Sequence, residues 1–253
     1  MSLLLASLAM AQLAAADAPQ SLAQARLEDC LEDARRDPAT AIATASQWLE
    51  GLGGEEASYP QQCLGHAYVS LLRWDAAVDA FRKARDARSP ADGAGRARLG
   101  AMAGNAALAS GNADRAMDLF LLARGDAGET ALGGQIAADM ARAYVQLQRA
   151  GDAQQSLDYA RRMAPQYVES WLLSAALMRR MERLDEAQTF IATAAELAPQ
   201  DGEVALEAGV IAALRGDEAA ARKNFEAVQM LEPGSGVAAT AQGYLDQLDG
   251  GVS

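Results

Sequence analysis

The chain has 253 residues, 51% of them hydrophobic by a broad count but only 5% aromatic, and it carries a formal net charge of −12. A partner for nucleic acid needs a basic face to meet phosphates, so this balance excludes that class of function; it also opposes docking on anionic lipid. The surplus acid serves solubility, and the alanine-rich apolar fraction, with no alternating runs of Val, Ile, Thr and Tyr, reads as an all-α protein.

In chain order, the first stretch is "MSLLLASLAMAQLAAADAPQ", uncharged until Asp17. Its apolar part, Leu3–Ala16, is shorter than the roughly 20 residues needed to cross a bilayer. Ala14 and Ala16 fit the small-x-small rule of signal peptidase sites, so residues 1–16 are expected to be a signal peptide and the protein to be periplasmic or otherwise exported, with no membrane span in the mature chain. Cleavage after Ala11 is an alternative. No Lys or Arg precedes the apolar run, and a capping helix on a cytoplasmic protein is the competing reading. The two cysteines, Cys30 and Cys63, permit one disulfide in an oxidising compartment.

Self-similarity begins next. The string "QQCLGHAYVSLLRWDAAVDAFRKA" contains Leu64-Gly65-x₂-Tyr68 followed by Ala77-x₃-Phe81-x₂-Ala84. The second spacing returns as Ala116-x₃-Phe120-x₂-Ala123 and, loosely, as Ala221-x₃-Phe225-x₂-Val228. Pro165, Pro199 and Pro233 lie 34 residues apart, in "RRMAPQ", "AELAPQ" and "QMLEPG". Counting from these marks gives units starting near residues 22, 58, 97, 134, 168 and 202, covering 22–235. Five residues are added before the third unit ("RDARSPADGAGR") and three before the fourth ("RGDAGETALGG"), read as surface loops. Residues 236–250 form a final helix with one apolar and one polar face, suited to capping a stack.

Small residues recur at one place in each leading helix (Gly65, Gly104, Ala141, Ala175, Gly209) and at a facing place in each following helix (Ala77, Ala116, Ala153, Ala187, Ala221). Large residues (Phe81, Phe120, Leu157, Ile191, Phe225) are expected to fill the gap to the next unit. Turns are marked by "SGNAD", "RAGD" and "LRGD", and Asp75, Asp114 and Asp185 are placed to cap the second helices.

This pattern resembles the tetratricopeptide repeat, a helix–turn–helix unit of 34 residues with Trp-x₂-Leu-Gly-x₂-Tyr on its first helix and Ala-x₃-Phe-x₂-Ala on its second; an exported bacterial member of that family is the reading. The resemblance implies a right-handed α-solenoid that binds a protein or peptide in a concave groove lined by the first helices. Trp171 falls in the family's Trp slot, and Trp48 and Trp74 read as packing residues. The positions implied to face the groove are Gln62, His66, Arg98, Asn105, Gln135, Arg142, Arg179 and Arg180, with Arg26, Asp33, Glu169 and Glu203 beside them. Five arginines against three acids imply a partner with an acidic segment or a C-terminal carboxylate. The family's Lys/Asn clamp for chaperone tails has only Asn105 here and no matching Lys. In the resembling fold Cys30 stands at the ninth position of the first leading helix and Cys63 at the sixth of the second, on neighbouring helices, which implies a disulfide between them.

Catalytic vocabulary is thin. His66 is the only histidine, and Walker A, G-x-G-x-x-G and multi-histidine metal patterns are missing. The expectation is a non-catalytic scaffold with no cofactor and no metal; the alternatives are a subunit of a cell-envelope assembly docking through convex or terminal surfaces and, remotely, an enzyme that would depend on His66.

Overall fold

The computed structural model describes residues 21–250, which form thirteen α-helices and one short 3-10 turn. The expected signal peptide, residues 1–16, lies outside the described residues. Twelve helices make six successive antiparallel pairs: α1 (Leu22–Arg36) with α2 (Pro38–Leu49), α3 (Ser58–Ser70) with α4 (Trp74–Ala87), α5 (Gly93–Ala109) with α6 (Ala113–Ala127), α7 (Ala131–Gln146) with α8 (Ala150–Met163), α9 (Val168–Arg180) with α10 (Leu184–Leu197), and α11 (Gly202–Leu214) with α12 (Glu218–Leu231). The last helix, α13 (Gly236–Gly250), packs on α11 and α12 and buries Ala238, Ala241 and Leu245. Each pair packs on the next, which is the architecture of an α-solenoid.

One rule of size holds the second to sixth pairs together. A Cβ placed on Gly65 would overlap the Phe81 ring, and the same is true of Gly104 under Phe120 and Gly209 under Phe225. Where the second helix carries Leu157 or Ile191 instead, the first helix carries Ala141 or Ala175. Ring on glycine, aliphatic on alanine: the two volumes trade within each of these five units, as close packing requires. The large residues therefore press first on the small slot of their own unit, not only into the gap to the next one.

The turn inside five of the six pairs repeats a left-handed residue. Leu72 (φ 56°), Gly111 (φ 82°), Gln148 (φ 59°), Glu182 (φ 59°) and Gly216 (φ 82°) occupy the same place in five units. Each is followed by an N–H that bonds back to the helix, as Arg149 does to the Tyr144 carbonyl at 2.8 Å. Gly151 in "RAGD" is consequently not the turn residue; it lies in the first turn of α8, and Gln148 makes the turn. Asp75, Asp114 and Asp185 are likewise first-turn residues and not N-caps. Asp75 instead meets Arg115 at 2.8 Å, and Asp185 meets Arg215, tying one unit to the next.

The inserted residues lengthen helices more than loops. α5 and α7 have 17 and 16 residues against 13 in each of α3, α9 and α11. They start at Gly93 and Ala131, ahead of the expected Ala97 and Gly134, because Asp92 and Thr130 cap the N–H groups of Gly95 and Gly133. The short connection at 88–92 is held by arginine. Arg88 donates to Ser58 Oγ at 2.9 Å, while Arg85 and Arg96 share the Asp126 carboxylate at 2.8 and 3.4 Å.

Candidate functional site

The first helices lie side by side, α1 on α3, α5 on α7, α7 on α9 and α9 on α11, and form one face of the solenoid. At the joint with the longer insertion, α3 reaches α5 mainly through α4. The expected groove residues are distributed along this layer: Gln62 and His66 on α3, Arg98 and Asn105 on α5, Gln135 and Arg142 on α7, Arg179 and Arg180 on α9.

Two joints between neighbouring first helices use a contact between the ninth position of one unit and the sixth of the next. At the first joint that contact is covalent: Cys30 and Cys63 form a disulfide with Cα atoms 6.0 Å apart, and both residues are buried. At the joint of the third and fourth units the same two positions are Asn105 and Asp139, and Asn105 Nδ2 donates to Asp139 Oδ2 at 3.1 Å. Arg142 then donates to Asp139 Oδ1 at 2.6 Å and to Glu169 on α9. One helix further, Arg179 holds Glu207 in a two-pronged pair at 2.6 and 3.1 Å.

These pairs change the electrostatic expectation. Arg142 and Arg179 are neutralised within the chain by Asp139, Glu169 and Glu207, and sequence reasoning missed two of the three acids. The signal was present: Asp139 and Glu207 occupy the same repeat position, the sixth of their units. Burial pushes the Asp139 carboxyl above the usual carboxylate range, against the lowering pull of Arg142 and Asn105. Of the remaining expected residues, Arg98 and Arg180 are exposed and have no carboxylate partner among the described residues, and Gln62 and Gln135 are half-buried. Arg26 lies over the Trp48 ring at 4.5 Å, at the first end of the stack, and Glu203 sits by the α10–α11 turn. His66 packs edge-on against Phe81 with ring centres 5.1 Å apart; burial, then the nearby Arg35 charge, lowers its pKa, so it stays neutral at pH 7.

The groove contains an apolar cavity of about 170 Å³ between α7 and α9. Ala141, Val145, Leu173, Ala176 and Leu177 line its walls and Leu157 of α8 its floor, while Arg142 and Arg180 stand at the rim. Leu157 occupies the place held by Phe81, Phe120 and Phe225 in other units, where a ring fills the space over the first helix. With Arg142 tied to Asp139 and Glu169, Arg180 is the open cation beside this cavity among the described residues.

The described residues contain no cluster of three or more His, Cys, Asp or Glu able to hold a metal ion, and no helix among them is long and apolar enough to cross a membrane.

The chain matches no protein-family model and none of the curated proteins. Its fold does match solved structures of tetratricopeptide-repeat proteins. The chain is similar to PilW, described as a widely conserved type IV pilus biogenesis factor, with 16% identity, a TM-score of 0.68, and 88% of this chain and 99% of that one covered. It is similar to TTC0263, a thermophilic tetratricopeptide-repeat protein of Thermus thermophilus (18% identity, TM-score 0.63, 75% and 99% covered). YrrB, a tetratricopeptide-repeat protein with an unusual peptide-binding site, is similar at 20% identity, TM-score 0.50, with 78% and 97% covered. The molecule thus has the fold of a tetratricopeptide-repeat α-solenoid.

Proposed function

We propose that the chain is a non-catalytic adaptor that binds an extended segment of another protein along the layer of first helices, with an apolar side chain of that segment seated between α7 and α9 and an acidic group on Arg180. The observation that carries this reading is the apolar cavity with an open arginine at its edge, in a groove where the neighbouring Arg142 and Arg179 already have partners. An exposed apolar recess rimmed by polar groups is the usual form of an anchor pocket. A structure similar to this fold, YrrB, is described as having a peptide-binding site, which agrees with the reading. The Cys30–Cys63 bond fits an oxidising, exported setting.

Co-purification from envelope extracts tests the proposal. Ala176→Trp fills the cavity and Arg180→Glu reverses the rim charge; both should lose a partner that the unmodified chain retains. A partner retained by both variants would overturn the groove reading.

A second reading, a subunit of an envelope assembly docked through its first end, draws on a specific feature. Leu22 is 92% exposed there, beside a cavity formed with Ala23, Arg26, Trp48 and Leu52. In that case Leu22→Glu, and neither groove variant, should release the partner.

A further inference from the structure

The opposite face of the solenoid carries a second groove, between α6 and α8 with α7 as its base. Its volume is about 430 Å³, and its lining includes Tyr144 and Tyr159 as half-buried walls. Four charged side chains border it. Two of them are satisfied inside the chain: Asp152 by Arg149 at 2.7 Å, and Asp158 by Arg161. The other two, Arg124 and Arg162, are exposed and have no carboxylate partner among the described residues. Arg124 rests over the Tyr159 ring, 5.9 Å from its centre.

The repeat itself shows that Arg124 differs from its counterparts. Each of three second helices places an arginine directly after the small residue that follows its large one: Arg85 after Ala84, Arg124 after Ala123, Arg161 after Ala160. Arg85 is answered by Asp126, which lies six residues after Phe120 in the next unit. The residue six after Leu157, where Arg124 would find the same answer, is Met163. Arg161 turns inward, to Ser174 and over the Phe190 ring at 4.2 Å. Of the three, Arg124 alone is left at an open groove, and Arg162 joins it there, in a chain whose overall charge is −12.

We infer that this outer groove is a second binding site, for an acidic segment of a protein partner whose carboxylates meet Arg124 and Arg162 and whose aromatic side chain lies against Tyr144 and Tyr159. Its use would let the molecule hold two proteins at once, one on each face. The outer site is independent of the inner cavity, because the two grooves share none of these residues.

The test uses the full chain with its inner cavity filled by Ala176→Trp and a fluorescein-labelled decapeptide of alternating Glu and Phe, with a Ser–Phe decapeptide as control, read by fluorescence anisotropy. The acidic peptide should bind against the overall repulsion of the protein and weaken as salt rises. Arg124→Gln with Arg162→Gln, both at exposed positions, should reduce its affinity about tenfold, the loss of two exposed charge-assisted contacts. Arg180→Glu in the inner groove should change it by less than about twofold. Equal binding by the double variant, equal binding of the uncharged peptide, a loss as large with Arg180→Glu, or no binding of the acidic peptide would each overturn the inference. Failure of the inner-groove tests leaves this result unaffected.

Discussion

The joint of the first and second units and the joint of the third and fourth use the same two repeat positions and opposite chemistry. At one, Cys30 and Cys63 are covalently bonded and buried; at the other, Asn105 and Asp139 share a hydrogen bond that Arg142 extends to Glu169. The difference follows the location. The first unit ends the stack and can fray, so a cross-link there restrains what one neighbour cannot hold. The central joint has neighbours on both sides and can carry polar groups, which leaves side chains available at a groove.

The largest effect should come from removing the covalent joint. Cys30→Ala with Cys63→Ala opens a link across a sequence separation of 33 and should cost about 2–4 kcal/mol, localised to the first unit. Hydrogen exchange is the suitable readout, because stack ends open separately from the middle. Protection should fall across α1 and α2 and hold across α7 and α9; a uniform loss would contradict a local staple.

Next in size is the volume rule inside the units. Gly104→Ala drives a Cβ into the Phe120 ring and should cost about 1–3 kcal/mol. Adding Phe120→Leu should recover much of that loss, since it recreates the Ala141–Leu157 pair of the fourth unit. Urea denaturation of the single and double variants measures both, and a double variant worse than either single change would break the rule.

A smaller effect should come from giving the central joint the chemistry of the first. If the ninth and sixth positions meet alike at both, Asn105→Cys with Asp139→Cys should form a second disulfide on oxidation, worth about 1–2 kcal/mol after strain and the lost polar contacts. Peptide mapping should find the two introduced thiols linked to each other, with the native Cys30–Cys63 bond intact. Free thiols at both new positions would show that the two joints differ in geometry.

The smallest effect is a pH dependence. Burial raises the Asp139 pKa above its value in the unfolded chain, so the folded state binds its proton more tightly. This group's stabilising contribution is therefore full below the unfolded carboxylate pKa and is lost as pH rises through the higher folded value. Asp139→Asn should flatten stability over that acidic window and leave its slope elsewhere unchanged. Titration of the Asp139 carboxyl by NMR at or below the usual aspartate value would contradict it.

Much of the fold could be read in the residues. The 34-residue spacing of Pro165, Pro199 and Pro233 marks the unit, and the alternation of Gly65 with Phe81 and Ala141 with Leu157 encodes how its helices approach. The site was less legible because groove charge depends on pairs between units. Arg142 has Asp139 three residues back on its own helix, but its second carboxylate, Glu169, arrives only from the next helix. Asp139 and Glu207 could have been found by comparing the sixth position across units. The longer α5 and α7 were hidden by glycines at 93, 95, 133 and 134, which read as loop but follow capping by Asp92 and Thr130. The outer groove depends on Met163 standing where Asp126 stands one unit earlier, a difference that the period reveals only after Arg85 and Asp126 are seen to meet.

The proposed function requires that a partner segment anchors in the inner cavity between α7 and α9. Peptide display on the chain carrying Arg124→Gln and Arg162→Gln, which removes the outer site, followed by affinity measurement of the enriched peptides against the same chain with Ala176→Trp or Arg180→Glu added, is the decisive measurement. Enriched peptides should carry an apolar residue close to a carboxylate and bind at least about tenfold more weakly to either variant, as expected of a buried anchor and a charge-assisted contact. Enriched peptides that bind both variants as tightly as the chain used for display would contradict that anchoring.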